Sequence, residues 1–127
     1  LEDAGAVVVA LENCTGLKGV VGFVDEDAAD PLAAIASRYL DTPCSCMSPN
    51  TGRFTLMDQL TAQFRPTGVV DLVWQACHTY NVESYDLGRH VTEKLGLPFI
   101  KVETDYTESD MEQLRTRIEA FLELQAK

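Results

Sequence analysis

The alternation of short β-branched runs with helical patterns is the feature that most constrains this fold. The runs that resemble strands are Ala6–Leu11, Val69–Ala76 and Pro98–Glu103. Apolar spacing typical of helices falls between and after them, at Pro31–Leu40, roughly Phe54–Phe64, roughly Asn81–Leu95 and Ser109–Leu124. Such alternation predicts an α/β fold with a parallel sheet of at least three strands covered by helices.

Residues at the helix ends support these boundaries. Asp30 before Pro31 predicts an N-cap followed by a first-turn proline, and Gly96 predicts the end of the third helix. Ser109 with Glu112 three residues later predicts a capping box for the last helix. The segment Glu12–Ala29 has no clear period, so we expect a loop there with at most a short helix.

The charge balance limits which partners this chain can bind, and its first residues indicate that it belongs to a longer protein. Ten Lys and Arg against twenty Asp and Glu give a net charge of −10, which opposes binding to nucleic acid or to anionic lipid. Apolar runs are too short for a membrane span, so we expect a soluble, cytoplasmic protein. Because a buried strand almost opens the chain, residues 1–127 are expected to form a single α/β domain at the C-terminal part of a longer protein.

The four cysteines occupy positions that suggest a shared site. Cys14 follows the first predicted strand and Cys77 follows the second, while Cys44 and Cys46 lie in a loop between helices. Since the carboxyl ends of parallel strands meet at one edge, we expect Cys14 and Cys77 to lie close together. Thiolates supplied by several distant loops are typical of an iron–sulfur cluster or metal site.

Plainer interpretations of these cysteines stay open. Free cysteine is among the most buried residue types, so all four could be core residues. A structural disulfide is disfavoured in a cytosolic chain, and a zinc site lacks the usual pairs of closely spaced ligands.

Two acid–base candidates accompany Cys77 at the expected edge. His78 follows Cys77 directly, and Glu103 ends the third predicted strand. A histidine beside a thiolate can donate a hydrogen bond to sulfur or move protons, although an ordinary loop histidine is the simpler interpretation. For Asp105 and Thr107 turn or capping chemistry is the simpler interpretation.

Four stretches of the chain carry a resemblance to a known family: Glu12–Gly16, Pro43–Asn50, Gln75–Glu83, and Glu103–Tyr106 running on to Gln113–Phe121. They resemble the 2-hydroxyacyl-CoA dehydratase D-component and benzoyl-CoA reductase superfamily, particularly its double-cubane-cluster branch. The stretches occur in the family's order and are spread over nearly the whole chain. The chain departs from the better-known dehydratase subunits at Ala76 and His78-Thr79, which favours the double-cubane branch over 2-hydroxyacyl-CoA dehydration.

The resemblance implies a flavodoxin-like or Rossmann-like three-layer domain, one of two in a longer protein that holds an iron–sulfur cluster in the cleft between them. It implies that Cys14 and Cys77 are metal ligands, and that Cys44 or Cys46, or both, help to bind the 4Fe-4S or double-cubane cofactor. His78 and Glu103, at the same expected edge of the sheet, are the candidate catalytic residues.

The implied activity is low-potential electron transfer that reduces or dehydrates a substrate. The implied partners are an ATP-dependent activator protein and a second family subunit, in a homodimer or heterodimer. The chain by itself is expected to lack the cluster and to be inactive. The alternatives are a cluster-free regulatory or interaction module that keeps only the fold, and a flavin binder, which the absence of a Ser/Thr-rich loop after the first predicted strand disfavours.

Overall fold

The computed structural model describes residues 1–105 and 107–125. Two short 3₁₀ helices, Glu2–Ala4 and Leu17–Gly19, precede the longer elements. The longer elements are α1 (Pro31–Leu40), α2 (Thr51–Phe64), β1 (Val69–Trp74), α3 (His78–Arg89), a π-helical turn (His90–Lys94), β2 (Phe99–Thr104) and α4 (Met111–Glu123).

A parallel pair of strands forms the sheet, which confirms the predicted α/β class. The register runs from Val69 opposite Phe99 to Trp74 opposite Thr104. The crossover between them consists of α3 and the π-helical turn, and α3 contacts both strands. This β-α-β unit is consistent with a flavodoxin-like layered domain, and it brings the carboxyl ends of β1 and β2 to one edge.

The prediction of a strand over Ala6–Leu11 is wrong. These residues carry no regular secondary structure, and the Val7 side chain is 79% exposed. A β-branched run is stabilised as a strand only when a neighbour pairs with it, and among the described residues β1 and β2 pair only with each other. The described sheet therefore has two strands where at least three were expected.

The chain divides into two compact units, and the first consists of Leu1–Val9 with Arg65–Lys127. Its core contains Val73, Leu87, Val91, Val102 and Phe121, all buried. A buried polar pair lies among them, because the Ser84 hydroxyl of α3 donates to the Asp71 carboxylate of β1. The hydrogen bond compensates for removing both groups from water and ties α3 to the sheet.

The second unit, Ala10–Phe64, is built on α2. Buried side chains recur on α2 at helical spacing, at Arg53, Leu56, Met57 and Leu60, so one stripe of this helix forms the core of the unit. No residue of α1 is buried. The prediction that residues 1–127 form one domain stays a prediction.

Helix ends follow the sequence signals in part. Asp30 caps α1 as predicted, since its carboxylate accepts hydrogen bonds from the backbone N–H groups of Leu32 and Ala33. The capping box at Ser109 is wrong: Asp110 holds the N-cap position of α4 without a side-chain capping hydrogen bond, and Ser109 Oγ lies 2.7 Å from Thr107 Oγ1. A local hydroxyl contact has replaced the cap interaction.

Two helices begin three residues earlier than predicted. α2 begins at Thr51 and α3 at His78. His78 is therefore helical and not a loop residue. Within the described residues, no helix is both long and apolar enough to cross a membrane.

Candidate functional site

Cys77 lies in a tight strand-to-helix connection at the carboxyl edge of the sheet. β1 ends at Trp74, the Cys77 N–H donates to the Trp74 carbonyl at 2.9 Å, and Cys77 is the N-cap of α3. The turn requires a left-handed backbone at Ala76, whose φ is 64°. A non-glycine residue in this region carries strain of the kind that collects at functional sites.

The surroundings of Cys77 are partly open. Its sulfur lies 3.8 Å from the Thr79 hydroxyl, and its carbonyl accepts the Asn81 N–H at 3.0 Å. His78 is exposed on the first turn of α3. Cys77 and His78 are thus neighbouring residues at the junction between β1 and α3. The thiol is partly accessible there and the imidazole is exposed.

Asn81 links this first turn of α3 to the end of β2, a role that the sequence did not reveal. Its amide nitrogen donates to Glu103 Oε2 at 3.3 Å, and its amide oxygen accepts from the Lys101 ammonium. Asn81 lies one helical turn after Cys77, and through this hydrogen bond it orients the Glu103 carboxylate. Its place inside the matching stretch Gln75–Glu83 is the only signal that could have drawn attention to it.

An open polar depression of about 210 Å³ lies at the same edge, lined by Gln75, Glu103, Thr104 and Asp110. Gln75 and Thr104 are joined across it, because the Gln75 N–H donates to the Thr104 carbonyl at 2.7 Å. Two of the four lining side chains are carboxylic acids. The depression can accept a polar group of a ligand, and its two carboxylic acids can exchange protons with such a group.

Asp105 and Thr107 form a turn, which confirms the simpler interpretation of these residues. The Thr107 N–H and hydroxyl both donate to Asp105 Oδ1, each at 2.7 Å. These hydrogen bonds lower the pKa of the Asp105 carboxyl, with the hydroxyl contributing most. Tyr106, which belongs to the matching stretch, lies outside the described residues.

Cys44 and Cys46 lie together in a turn of the second unit. The Met47 N–H donates to the Cys44 carbonyl at 2.9 Å and closes the turn. The Cys44 sulfur accepts hydrogen bonds from the backbone N–H and from the thiol of Cys46, which lower the pKa of Cys44. The same contact raises the pKa of Cys46, which is exposed.

Cys14 lies in a narrow loop of the same unit. The loop is closed where the Leu17 N–H donates to the Leu11 carbonyl at 3.2 Å, and Asn13 Oδ1 accepts from the Thr15 N–H at 3.1 Å. Glycine is required at position 16, since a Cβ there would clash with the Leu11 carbonyl oxygen. The fold of this loop leaves the Cys14 thiol exposed.

A buried ion cluster beneath this loop was missed by the sequence analysis. The Glu12 carboxylate is 3.2 Å from Lys18 Nζ and 3.1 Å from a terminal nitrogen of Arg53. Lys18 and Arg53 are only 2% and 3% exposed. The cluster ties the loop that carries Cys14 to α2, and the positive charge of Lys18 also lowers the pKa of Cys44. Forty-one residues separate Glu12 from Arg53, so spacing gave no signal for this contact.

The interpretation of the four cysteines as core residues is wrong, because each is at least partly accessible and none is in a disulfide. The structure brings Cys44 and Cys46 into contact, and it places Cys77 near His78 and the Asn81–Glu103 pair. No strand precedes Cys14, so Cys14 and Cys77 do not lie at equivalent strand ends as predicted. A site shared by the two cysteines stays a prediction. In the described part of the chain, no three His, Cys, Asp or Glu side chains converge as a metal site.

Residues 1–124 match the protein family described as "2-hydroxyglutaryl-CoA dehydratase, D-component". A curated protein of Escherichia coli (strain K12), described as "Putative dehydratase subunit YjiM", is 45% identical over 124 residues, which are 98% of this chain and 32% of that protein. The chain therefore spans about a third of the length of this relative. With a family match over nearly its whole length and an α/β fold of the expected class, the chain belongs to the 2-hydroxyglutaryl-CoA dehydratase D-component family.

Proposed function

We propose that this chain is the cluster-binding C-terminal part of an iron–sulfur protein of the 2-hydroxyacyl-CoA dehydratase type, with Cys14 and Cys77 as iron ligands. The observation that carries the proposal is the accessibility of the cysteines. A small α/β fold gains little from four thiols that lie outside its core, whereas thiolates on loops are the usual ligands of iron–sulfur clusters.

The cysteine side chains meet the ligand requirements of such a cluster only in part. Cys44 and Cys46 lie in one turn, and hydrogen bonds from Cys46 lower the pKa of the Cys44 thiol, which makes the thiolate that binds iron easier to form. The described residues assemble no set of three donors. We therefore propose that the remaining ligands come from other parts of the longer protein, as expected of a family that builds its site between two domains. When bound, the cluster would supply low-potential electrons to the substrate.

The residues at the carboxyl edge of the sheet would handle protons and position the ligand. His78, on the first turn of α3, would donate a hydrogen bond to a ligand sulfur or transfer a proton. Glu103 would exchange a proton with a group in the polar depression, and Asn81 would hold its carboxylate in place. Thr79, whose hydroxyl is 3.8 Å from the Cys77 sulfur, would tune that ligand through a hydrogen bond.

The substrate class, partners and location follow the family. We propose a 2-hydroxyacyl-CoA thioester, or a small molecule reduced by a double-cubane or benzoyl-CoA reductase type of centre. An ATP-dependent activator would deliver the electron to a dimer of family subunits in the cytoplasm under anaerobic conditions. The net charge of −10 would favour a partner surface that carries basic residues.

Substitution of the proposed ligands tests the assignment in the full-length protein purified without oxygen. Cys14→Ala and Cys77→Ala should each lower the iron content per chain to less than half and abolish turnover. His78→Ala should keep most of the iron and slow turnover about 10- to 100-fold, as changes behind the metal ligands do. Ser37→Ala, in the exposed part of α1, is the control and should change neither quantity. Full iron content and normal turnover in both cysteine variants would reject the assignment.

A further inference from the structure

The loop that carries Cys14 is not held in place by its own apolar side chains. From Leu11 to Leu17 no residue is buried, and Leu11 is 54% exposed. The hydrogen bond from the Leu17 N–H to the Leu11 carbonyl closes the loop on itself, but it does not connect the loop to the rest of the unit. Hydrophobic burial therefore contributes little to where Cys14 lies.

Charged side chains connect this loop to α2 instead. Glu12 lies on one arm of the loop and Lys18 follows the other, and Glu12 Oε1 is 3.2 Å from Lys18 Nζ. The second oxygen, Glu12 Oε2, accepts from Arg53 Nε at 3.2 Å and is 3.1 Å from a terminal nitrogen of Arg53. Because both cations are almost completely buried, water and salt screen these contacts little. One carboxylate thus joins both arms of the loop to a cation on α2.

Arg53 is also close to the second loop that carries cysteines. α2 begins at Thr51, a few residues after Cys44 and Cys46, and the Arg53 N–H donates to the Asn50 carbonyl at 3.3 Å. The backbone of Arg53 therefore belongs to the helical turn in which the Cys44–Cys46 loop ends, while its side chain contacts the loop that carries Cys14. This position suits a residue that fixes one cysteine loop relative to the other.

We propose that Arg53 is a positioning residue for Cys14: through Glu12 it holds the Cys14 loop in one place on α2 before any metal binds. The inference rests on the proposed function, in which Cys14 is an iron ligand, and adds a residue that acts through its neighbour. A loop already held in its binding position loses less conformational freedom when it binds, so the affinity for iron is higher. A buried charged contact suits this task because its hydrogen bonds specify one geometry.

Hydrogen exchange in the full-length protein, stripped of metal by chelation, tests whether Arg53 fixes the loop. Arg53→Met removes the cation and keeps a long side chain. The amide hydrogens of Gly16 and Leu17, which are bonded within the loop, should exchange at least about tenfold faster than in the wild type. The buried part of α2 around Leu56 and Leu60 should keep its exchange rate. Unchanged exchange in the loop, or an equal acceleration in α2, would overturn the proposal.

Two further variants separate positioning from stability. Arg53→Lys should bring loop exchange to within about threefold of the wild type, because both Arg53 nitrogens contact one Glu12 oxygen and a single ammonium can replace them. The double variant Glu12→Gln with Arg53→Met removes one charge of each sign, so its denaturation midpoint should lie closer to the wild type than that of either single variant.

The loop amides of the double variant should nevertheless exchange as fast as those of Arg53→Met, since the link to α2 is still missing. Because the double variant keeps the charge balance, it also supplies the test should Arg53→Met fail to fold. Exchange at the wild-type rate in the double variant would show that the loop is held without Arg53, and would overturn the proposal.

Iron release from the full-length protein, purified without oxygen, is the second readout. Arg53→Met should lose iron to a chelator at least about tenfold faster than the wild type. Arg115→Met, which breaks an exposed ion pair on α4, is the control and should release iron at the wild-type rate. Equal release from Arg53→Met and the wild type would contradict the positioning of Cys14. A wild type without iron would reject the proposed function, whereas hydrogen exchange would still decide whether Arg53 fixes the loop.

Discussion

At the scale of single residues, the Glu12 carboxylate is a charge whose loss should destabilise the second unit. It lies between Lys18 and Arg53, both almost completely buried. Glu12→Gln would remove a carboxylate that contacts two buried cations, and removing one partner of a buried ion pair typically costs about 3 to 5 kcal/mol. We expect a loss of unfolding free energy of that size in urea denaturation of the full-length protein.

An exposed carboxylate provides the matched control for Glu12. Glu119 pairs with Arg115 at 2.8 Å on the surface of α4, where water screens both charges and such pairs contribute little. Glu119→Gln should leave the denaturation midpoint close to that of the wild type. Equal midpoints for the two variants would show that Glu12 does not hold its loop in place.

At the scale of elements, the Asp30 cap should matter more than the rest of α1, because none of the helix is buried. Its carboxylate satisfies two backbone N–H groups that would otherwise have no partner in the helix. Asp30→Ala should cost about 1 kcal/mol of stability, measured as a loss of helical circular dichroism signal and a lower midpoint. Asp41→Ala at the opposite end should be neutral or slightly stabilising, because an anion there opposes the helix dipole. The same loss in both variants would rule out the cap.

The sequence predicted those elements whose signals are local. The Asp30-Pro31 pair defined α1, and the β-branched runs after Gly68 and Gly96 identified β1 and β2 to within two residues. Ala6–Leu11 failed because a strand requires a partner, and no property of the run itself supplies one. The capping box failed because α4 begins one residue later than Ser109 requires, and the Ser109 hydroxyl contacts Thr107.

The candidate site shows the same division between local and long-range information. The position of Cys77 after a strand and the contact between Cys44 and Cys46 follow from short spacings. The Asn81–Glu103 bridge and the Glu12–Arg53 contact span 22 and 41 residues, and one sequence carries no signal for pairings of that kind. The predicted proximity of Cys14 and Cys77 rested on a strand that the described residues do not form, so it stays a prediction.

At the scale of the whole molecule, we propose that the chain supplies part of a site that other parts of the protein complete. It spans about a third of its Escherichia coli relative, and its described residues gather no complete set of metal donors. An isolated chain of residues 1–127 should therefore stay colourless when iron and sulfide are added without oxygen. Stoichiometric iron in this isolated chain would instead show that one domain is sufficient.

The iron and acid-labile sulfide content of the full-length protein, purified without oxygen, tests the central claim most directly. We expect iron and sulfide in nearly equal amounts, about four of each for every cubane cluster, together with the brown colour of a cluster. A well-folded full-length protein that contains neither iron nor sulfide would contradict the account and would favour a module that keeps the family's fold without its chemistry.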